Sequence, residues 1–309
     1  MLKIPIYRIF SIFYLFCIYI FMINNIEIKY DEKLSDYSSI KIGGKAKIMM
    51  FPKTVKEAVE ILNFARKTGQ KIFVLGNGSN VLFDDNGFDG IVINIKNFNK
   101  IKLFRSGAYV GAGVKLFYLN IKLQQTGLSG IEWSYGIPAS VGGAIFMNAG
   151  CFGHEVGDVV EYVDVIKQGE LARLKRNQIL FDYRKTSLDD CVIIGVKLKL
   201  KKSSPQQIKE SMDAFFDKKR MSQPCDAPSL GSVFKRINID GETVYPAKLI
   251  DTLGLKGVKI GGAEISQKHA GFIVNTGSAT SSDYKALVSL IERKCHEVGV
   301  DLQREVIYL

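Results

Sequence analysis

The sequence predicts a mixed fold of strands and helices, and three observations carry that prediction. Short apolar runs alternate with segments of helical periodicity along most of the chain. A β-rich stretch of apolar alternation fills residues 159–200. Two uncharged, glycine-rich segments interrupt the pattern at 76–80 and 136–150. At 309 residues there is room for one large domain or two to three small ones. An apolar share of 47% against 24% charged residues is enough to build ordinary globular cores.

Taken in order, Ile48–Phe51 reads as a strand, and Thr54 caps the helix that follows, with Glu57 completing a capping box. That helix runs to about Thr68 and stops at Gly69. Strands are expected near 71–75, 81–83 and 91–95, with 84–90 as the turn between the last two. Two short strands fit 101–113 and a helix fits 114–126. Ser204 as N-cap and Pro205 at the first helical position open a new helix, which places a domain boundary near 203. A last helix over about 283–298 ends at Gly299, and 302–308 reads as a terminal strand.

The segment 136–150 holds four glycines and a proline among apolar and small residues. It offers main-chain N–H groups and little side chain, which suits close approach by a large anionic ligand. Gly76-Asn77-Gly78-Ser79-Asn80 is a tight polar turn between two apolar runs. Neither it nor Gly111-Ala112-Gly113 is the dinucleotide fingerprint of a Rossmann unit. In the first a strand follows where a helix N-terminus should receive the pyrophosphate, and in the second Leu116 stands in place of the third glycine. Taken together, the segments at 76–80 and 136–150 suggest two glycine-rich loops closing on one diphosphate.

A formal charge of +11 raises the question of nucleic acid. The 42 Lys and Arg are scattered, however, and the densest cluster, Lys218-Lys219-Arg220, is short. Attraction of an acidic small molecule accounts for the excess, and no nucleic-acid partner is expected. Five cysteines, odd in number and without metal spacing, argue against a disulfide framework and for a reducing compartment. The three histidines form no metal-spaced group, so no metal site is expected. Residues 9–23 are nearly all apolar, with Lys3 and Arg8 in front. They are short of the roughly 20 residues that span a bilayer and lack small residues at a cleavage site. A start at Met22, a membrane anchor and a signal segment all stay open.

Ser39–Ala46, Leu75–Leu82 and 136–150 resemble the FAD-binding half of the bacterial UDP-N-acetylenolpyruvoylglucosamine reductases. Tyr183-Arg184, Pro228–Lys235, Leu255–Ala263 and Glu305 resemble the second half, so the likeness covers about 27–309, in order. It implies an α+β fold of the family's short type, a two-part FAD-binding domain followed by a smaller α/β substrate-binding domain. After a leader at 1–23 the divisions would be 24–202, split into about 24–100 and 101–202, and 203–309. The implied reaction passes hydride from NADPH through FAD to C3 of an enolpyruvyl ether, giving a peptidoglycan precursor, UDP-N-acetylmuramate. The implied partner is UDP-N-acetylglucosamine enolpyruvate, met in the cytoplasm by a monomer that contacts membrane only if residues 1–23 are an anchor.

By the same resemblance Gly76, Asn77, Gly78, Ser79 and Asn80 bind the cofactor. So do Gly136, Ile137, Pro138, Ser140, Gly142, Gly143 and Ala144. Arg184 and Glu305 would flank the substrate carboxylate, and Ser232 would give the proton to C2, polarised by Lys235. Tyr183 would contact substrate. Read alone, Arg184 would be a surface ion-pair partner, Ser232 a turn residue and Glu305 solvated. The sequence departs from the family pattern at Ala139, at Arg236-Ile237, at Ile307 where arginine is usual, and in stopping at Leu309. The alternative reading is another flavin oxidoreductase or oxidase on the same scaffold, with Cys151 or His154 as the only tethering candidates near the loop. A third is a non-catalytic, membrane-tethered protein that binds FAD or a UDP-sugar.

Overall fold

Main-chain pairing sorts the longer strands into three sheets. The computed structural model describes residues 26–239 and 241–309; the apolar leader lies outside them. Helices are numbered in chain order: α1 is Val55–Thr68, α2 Leu116–Gln125, α3 Val141–Phe146, α4 Pro205–Ser222, α5 Pro246–Thr252 and α6 Ser281–His296.

The first sheet runs Glu27–Lys33, Lys45–Phe51, Phe88–Asn94, Ile72–Leu75, antiparallel at the first pair and parallel thereafter. Parallel neighbours need a crossover, and α1 supplies it. One face of the sheet buries Ile48, Met50, Ile91 and Ile93 against Ile61 and Phe64 of that helix. Thr54 Oγ1 accepts the Glu57 N–H at 3.2 Å, but the Glu57 carboxylate reaches back to the Lys53 N–H rather than to the cap residue. Gly69 ends α1 in the left-handed region at φ 66°.

The second sheet is fully antiparallel, ordered Glu170–Lys175, Val160–Lys167, Cys191–Lys199, Gly107–Gly111, Ile101–Phe104. It shares one core with α2, α3 and Trp133. The third orders Ser229–Ser232, Phe272–Asn275, Ala263–Ile265, Lys259–Ile260 and buries its face on α5 and α6. Ile40, Ile42 and Leu82 of the first body enter this third core. The described residues thus form an α+β fold. Ser204 caps α4 by accepting the Gln207 N–H, with Pro205 at its first position.

Two expectations are corrected. The last helix begins at Ser281 rather than 283, because Thr280 and Asp283 form a reciprocal capping box. The terminal strand shrinks to Ile307–Tyr308, because its only ladder partner, Val81–Leu82, is itself two residues long. Among the described residues no helix is long and apolar enough to cross a membrane.

Candidate active site

The two glycine-rich loops face one another because their residues cannot hold them apart. A Cβ on Gly76 would collide with Ser140 Oγ, and one on Gly78, at φ 60°, would collide with the Tyr37 carbonyl. Asn77 Nδ2 ties the loops by donating to the Pro138 carbonyl at 2.6 Å. Ser140 Oγ accepts the Gly143 N–H at 3.2 Å and so starts α3. The main-chain N–H groups of Asn77, Gly78 and Ser79 have no acceptor among the described residues.

Between the loops lies a cavity of about 540 Å³, of a size that takes a large organic ligand. Its walls include Gly76, Asn77, Gly78, Ser79 and Asn80 on one side, and Ile137, Pro138, Ser140, Gly142, Gly143 and Ala144 on the other. Gly136 is not among them; a Cβ there would press on Lys219 and Phe216 of α4. A side-chain-poor cradle with unpaired main-chain donors fits a dinucleotide whose diphosphate approaches the backbone closely.

Arg184, Ser232 and Glu305, far apart in the chain, line the same cavity. Arg184 sits in the two-residue turn of a small hairpin, Phe181–Asp182 with Lys185–Thr186, at φ 55°. Its Nε donates to Glu305 Oε1 at 2.6 Å and its terminal nitrogen to the Gly150 carbonyl at 2.8 Å. Glu305 is held by main chain: its N–H donates to the Val233 carbonyl at 2.8 Å, and its carbonyl accepts from Asn80 Nδ2 at 3.1 Å. Burial pushes its carboxyl above the ordinary range, against the opposing pull of Arg184, Lys235 and Arg236. Ser232 ends a bulged strand whose preceding residue, Gly231, has φ 79°.

Tyr183 and Lys235 stand behind the wall rather than in it. The Tyr183 ring packs near the guanidinium groups of Arg184 at 4.9 Å and Arg236 at 4.5 Å, and its hydroxyl accepts the Arg236 N–H at 3.3 Å. Lys235 donates its N–H to the Gln303 carbonyl, which aligns the segment carrying Glu305. Lys219, to which sequence reasoning gave no role, stands in the wall, and so does Cys151, weighed only as a tethering candidate. Burial pushes the Lys219 ammonium down and the Cys151 thiol up. Lys219 stands in the basic cluster already noticed, but nothing local says which of three neighbouring cations faces inward. His269 accepts the Gly271 N–H through Nδ1, outside the cavity wall.

Comparison with known proteins bears on this arrangement. Residues 46–175 match the family model described as FAD binding domain. Residues 223–309 match the one described as UDP-N-acetylenolpyruvoylglucosamine reductase, C-terminal domain. The protein of that name from Thermotoga maritima is 42% identical over 278 residues, covering 89% of this chain and 96% of its own. This chain belongs to the UDP-N-acetylenolpyruvoylglucosamine reductase family. The Enterococcus faecalis reductase is 38% identical over 92% of this chain and 95% of its own. The crystal structure of the Thermus caldophilus reductase superposes with a TM-score of 0.78 at 34% identity, over 92% of this chain and 98% of that one. As a reductase of this family the chain carries an FAD-binding domain, and the loops 76–80 and 136–147 that form the cradle lie within the matched span.

Proposed function

We propose that this chain reduces the enolpyruvyl ether of UDP-N-acetylglucosamine to UDP-N-acetylmuramate, with NADPH as reductant and FAD seated between the two glycine-rich loops. The observation that carries the reading is the meeting of Arg184, Glu305 and Ser232 on the wall of a cavity lined elsewhere by those loops. When bound, FAD supplies hydride transfer between NADPH and the substrate.

Hydride arriving at C3 leaves negative charge on C2 and the adjoining carboxylate, so a cation and proton donors belong there. Arg184 takes the carboxylate, its guanidinium already oriented by Glu305 and the Gly150 carbonyl. Glu305, raised by burial, can hold a proton and add a neutral donor beside the same charge. Ser232 delivers the proton to C2, and Lys235 polarises it through the local field. Substrate, reductant and an expected monomer meet in the cytoplasm in this reading, without nucleic acid. The division into 24–202 and 203–309 goes with it, the first and second sheets carrying the two cofactor loops and the Arg184 hairpin, and the third core carrying Ser232 and the segment of Glu305. The relatives favour this over another flavin oxidase on the same scaffold.

The test uses chain expressed from Met22. Its visible spectrum is recorded, then NADPH oxidation is followed anaerobically with and without UDP-N-acetylglucosamine enolpyruvate. Flavin bands with substrate-dependent oxidation are expected, falling about 10²- to 10⁴-fold in Ser232→Ala. Oxidation indifferent to that substrate would overturn the reaction while leaving the fold.

A further inference from the structure

Asn148 lies outside the cavity wall, is 0% exposed and adopts φ 42°, a left-handed backbone that asparagine tolerates. Its amide is fully used. Nδ2 donates to the Asp182 carbonyl at 2.9 Å and to Glu155 Oε2 at 2.7 Å, while Oδ1 accepts the Gly157 N–H at 3.1 Å. Asp182 is the last strand residue before the Tyr183-Arg184 turn. On the other strand of that hairpin, Thr186 Oγ1 donates to the Phe146 carbonyl at 2.9 Å. The guanidinium itself leans on the Gly150 carbonyl. Residues 146, 148 and 150 therefore grip both strands of the hairpin and the side chain at its tip, from the end of α3 and the segment that leaves it.

We infer that Asn148 is a positioning residue for the reaction, acting through Arg184. It fixes the hairpin turn so that the guanidinium meets the substrate carboxylate, and it links that contact to the loop that cradles the flavin. The inference rests on the role of Arg184 proposed above. No other side chain reproduces the contacts. Aspartate would lose two donated bonds and bring a second carboxylate against Glu155, and alanine would leave the buried Gly157 N–H unpaired and take a donor from the Asp182 carbonyl and the Glu155 carboxylate.

The experiment uses the flavin-loaded enzyme and the variant Asn148→Gly, which tolerates the left-handed backbone and removes the side chain with its three hydrogen bonds. Substrate affinity is read from the shift of the oxidised flavin spectrum on titration with UDP-N-acetylglucosamine enolpyruvate. Flavin reduction by NADPH is timed separately by stopped flow. A loose carboxylate clamp should weaken substrate affinity and slow reoxidation by substrate by about 10- to 100-fold, with reduction by NADPH held within about two-fold. In an Arg184→Ala background the same change should add no further loss, because both act on one contact. If Asn148→Gly sheds its flavin, Thr186→Val releases the other strand of the hairpin and should show the same split at smaller size. Equal loss in both half-reactions, or full additivity with Arg184→Ala, would reduce Asn148 to a structural residue and overturn the inference. Wild-type behaviour of Arg184→Ala alone would sink the reading of the site itself.

Discussion

Glu305 shows how a single residue couples the chemistry to stability. Its carboxyl is raised above the ordinary 4.5, because burial outweighs the attraction of Arg184. A carboxyl whose folded value is raised keeps its proton longer in the native state than in the unfolded one. Its contribution to stability is therefore complete below the unfolded value and is lost as pH rises through the folded value. Glu305→Gln, neutral at every pH, should cut turnover by about 10²-fold if the carboxyl is a working proton donor. The same pair of proteins should show a wild-type advantage in Tm that shrinks as pH rises above the ordinary carboxyl value. A gap that widens over that range would mean that Arg184 holds the carboxylate ionised. Of the wall residues, Arg184, Ser232 and Glu305 were legible only through the family resemblance, since read alone each is an ordinary surface or turn residue. Lys219 was not, since inward orientation on α4 depends on where that helix packs, which its own sequence does not encode.

At the scale of elements, the caps were the most legible features: Thr54, Gly69 and Ser204 act through bonds within four residues. The hairpin at 181–186 and the third sheet escaped notice, because their short strands show little alternation and take their pairing from distant segments. Glycine 78 belongs with the legible features, and it separates two costs. Gly69 and Gly78 share nearly the same positive φ, 66° and 60°, yet a Cβ on Gly69 meets nothing within 4 Å, whereas one on Gly78 strikes main chain. Gly69→Ala should cost only the left-handed penalty, about 1–2 kcal/mol, with flavin content intact. Gly78→Ala must also displace the 76–80 loop from Tyr37. A larger fall in Tm, together with flavin lost on gel filtration, is therefore expected. Equal behaviour of the two variants would show that the loop does not depend on that close approach.

Across the whole molecule, the substrate-side residues work only if the third body stays docked on the first. Besides the apolar seat of Ile40, Ile42 and Leu82, the joint has a polar part. Asp85, in the turn after Val81–Leu82, accepts the Ser281 N–H at 2.7 Å and the Ser282 N–H at 3.0 Å, capping α6 from 196 residues away. Ser281 Oγ accepts the Asp85 N–H in return, Lys285 pairs with Asp84, and the Leu309 carbonyl accepts the Asp84 N–H. Reading 84–90 as the turn between two strands found the bend and missed this second use, because a cap supplied by a distant loop leaves no local signature. Burial pushes the Asp85 carboxyl up, but the donors from Ser281 and Ser282 outweigh it and bring it below the usual range. A lowered carboxyl stabilises above the unfolded value and loses that contribution as pH falls through the folded one. Asp85→Ala should therefore cost about 0.5–2 kcal/mol near neutrality, read as a drop in Tm that narrows in acid. Because Asp84 and Asp85 lie two and three residues past the strand that pairs with Ile307–Tyr308, the same variant should loosen the segment that carries Glu305. Substrate affinity should then fall while flavin stays bound, and unchanged affinity in a destabilised variant would mean that the third body holds its seat through the Ile40, Ile42 and Leu82 core alone.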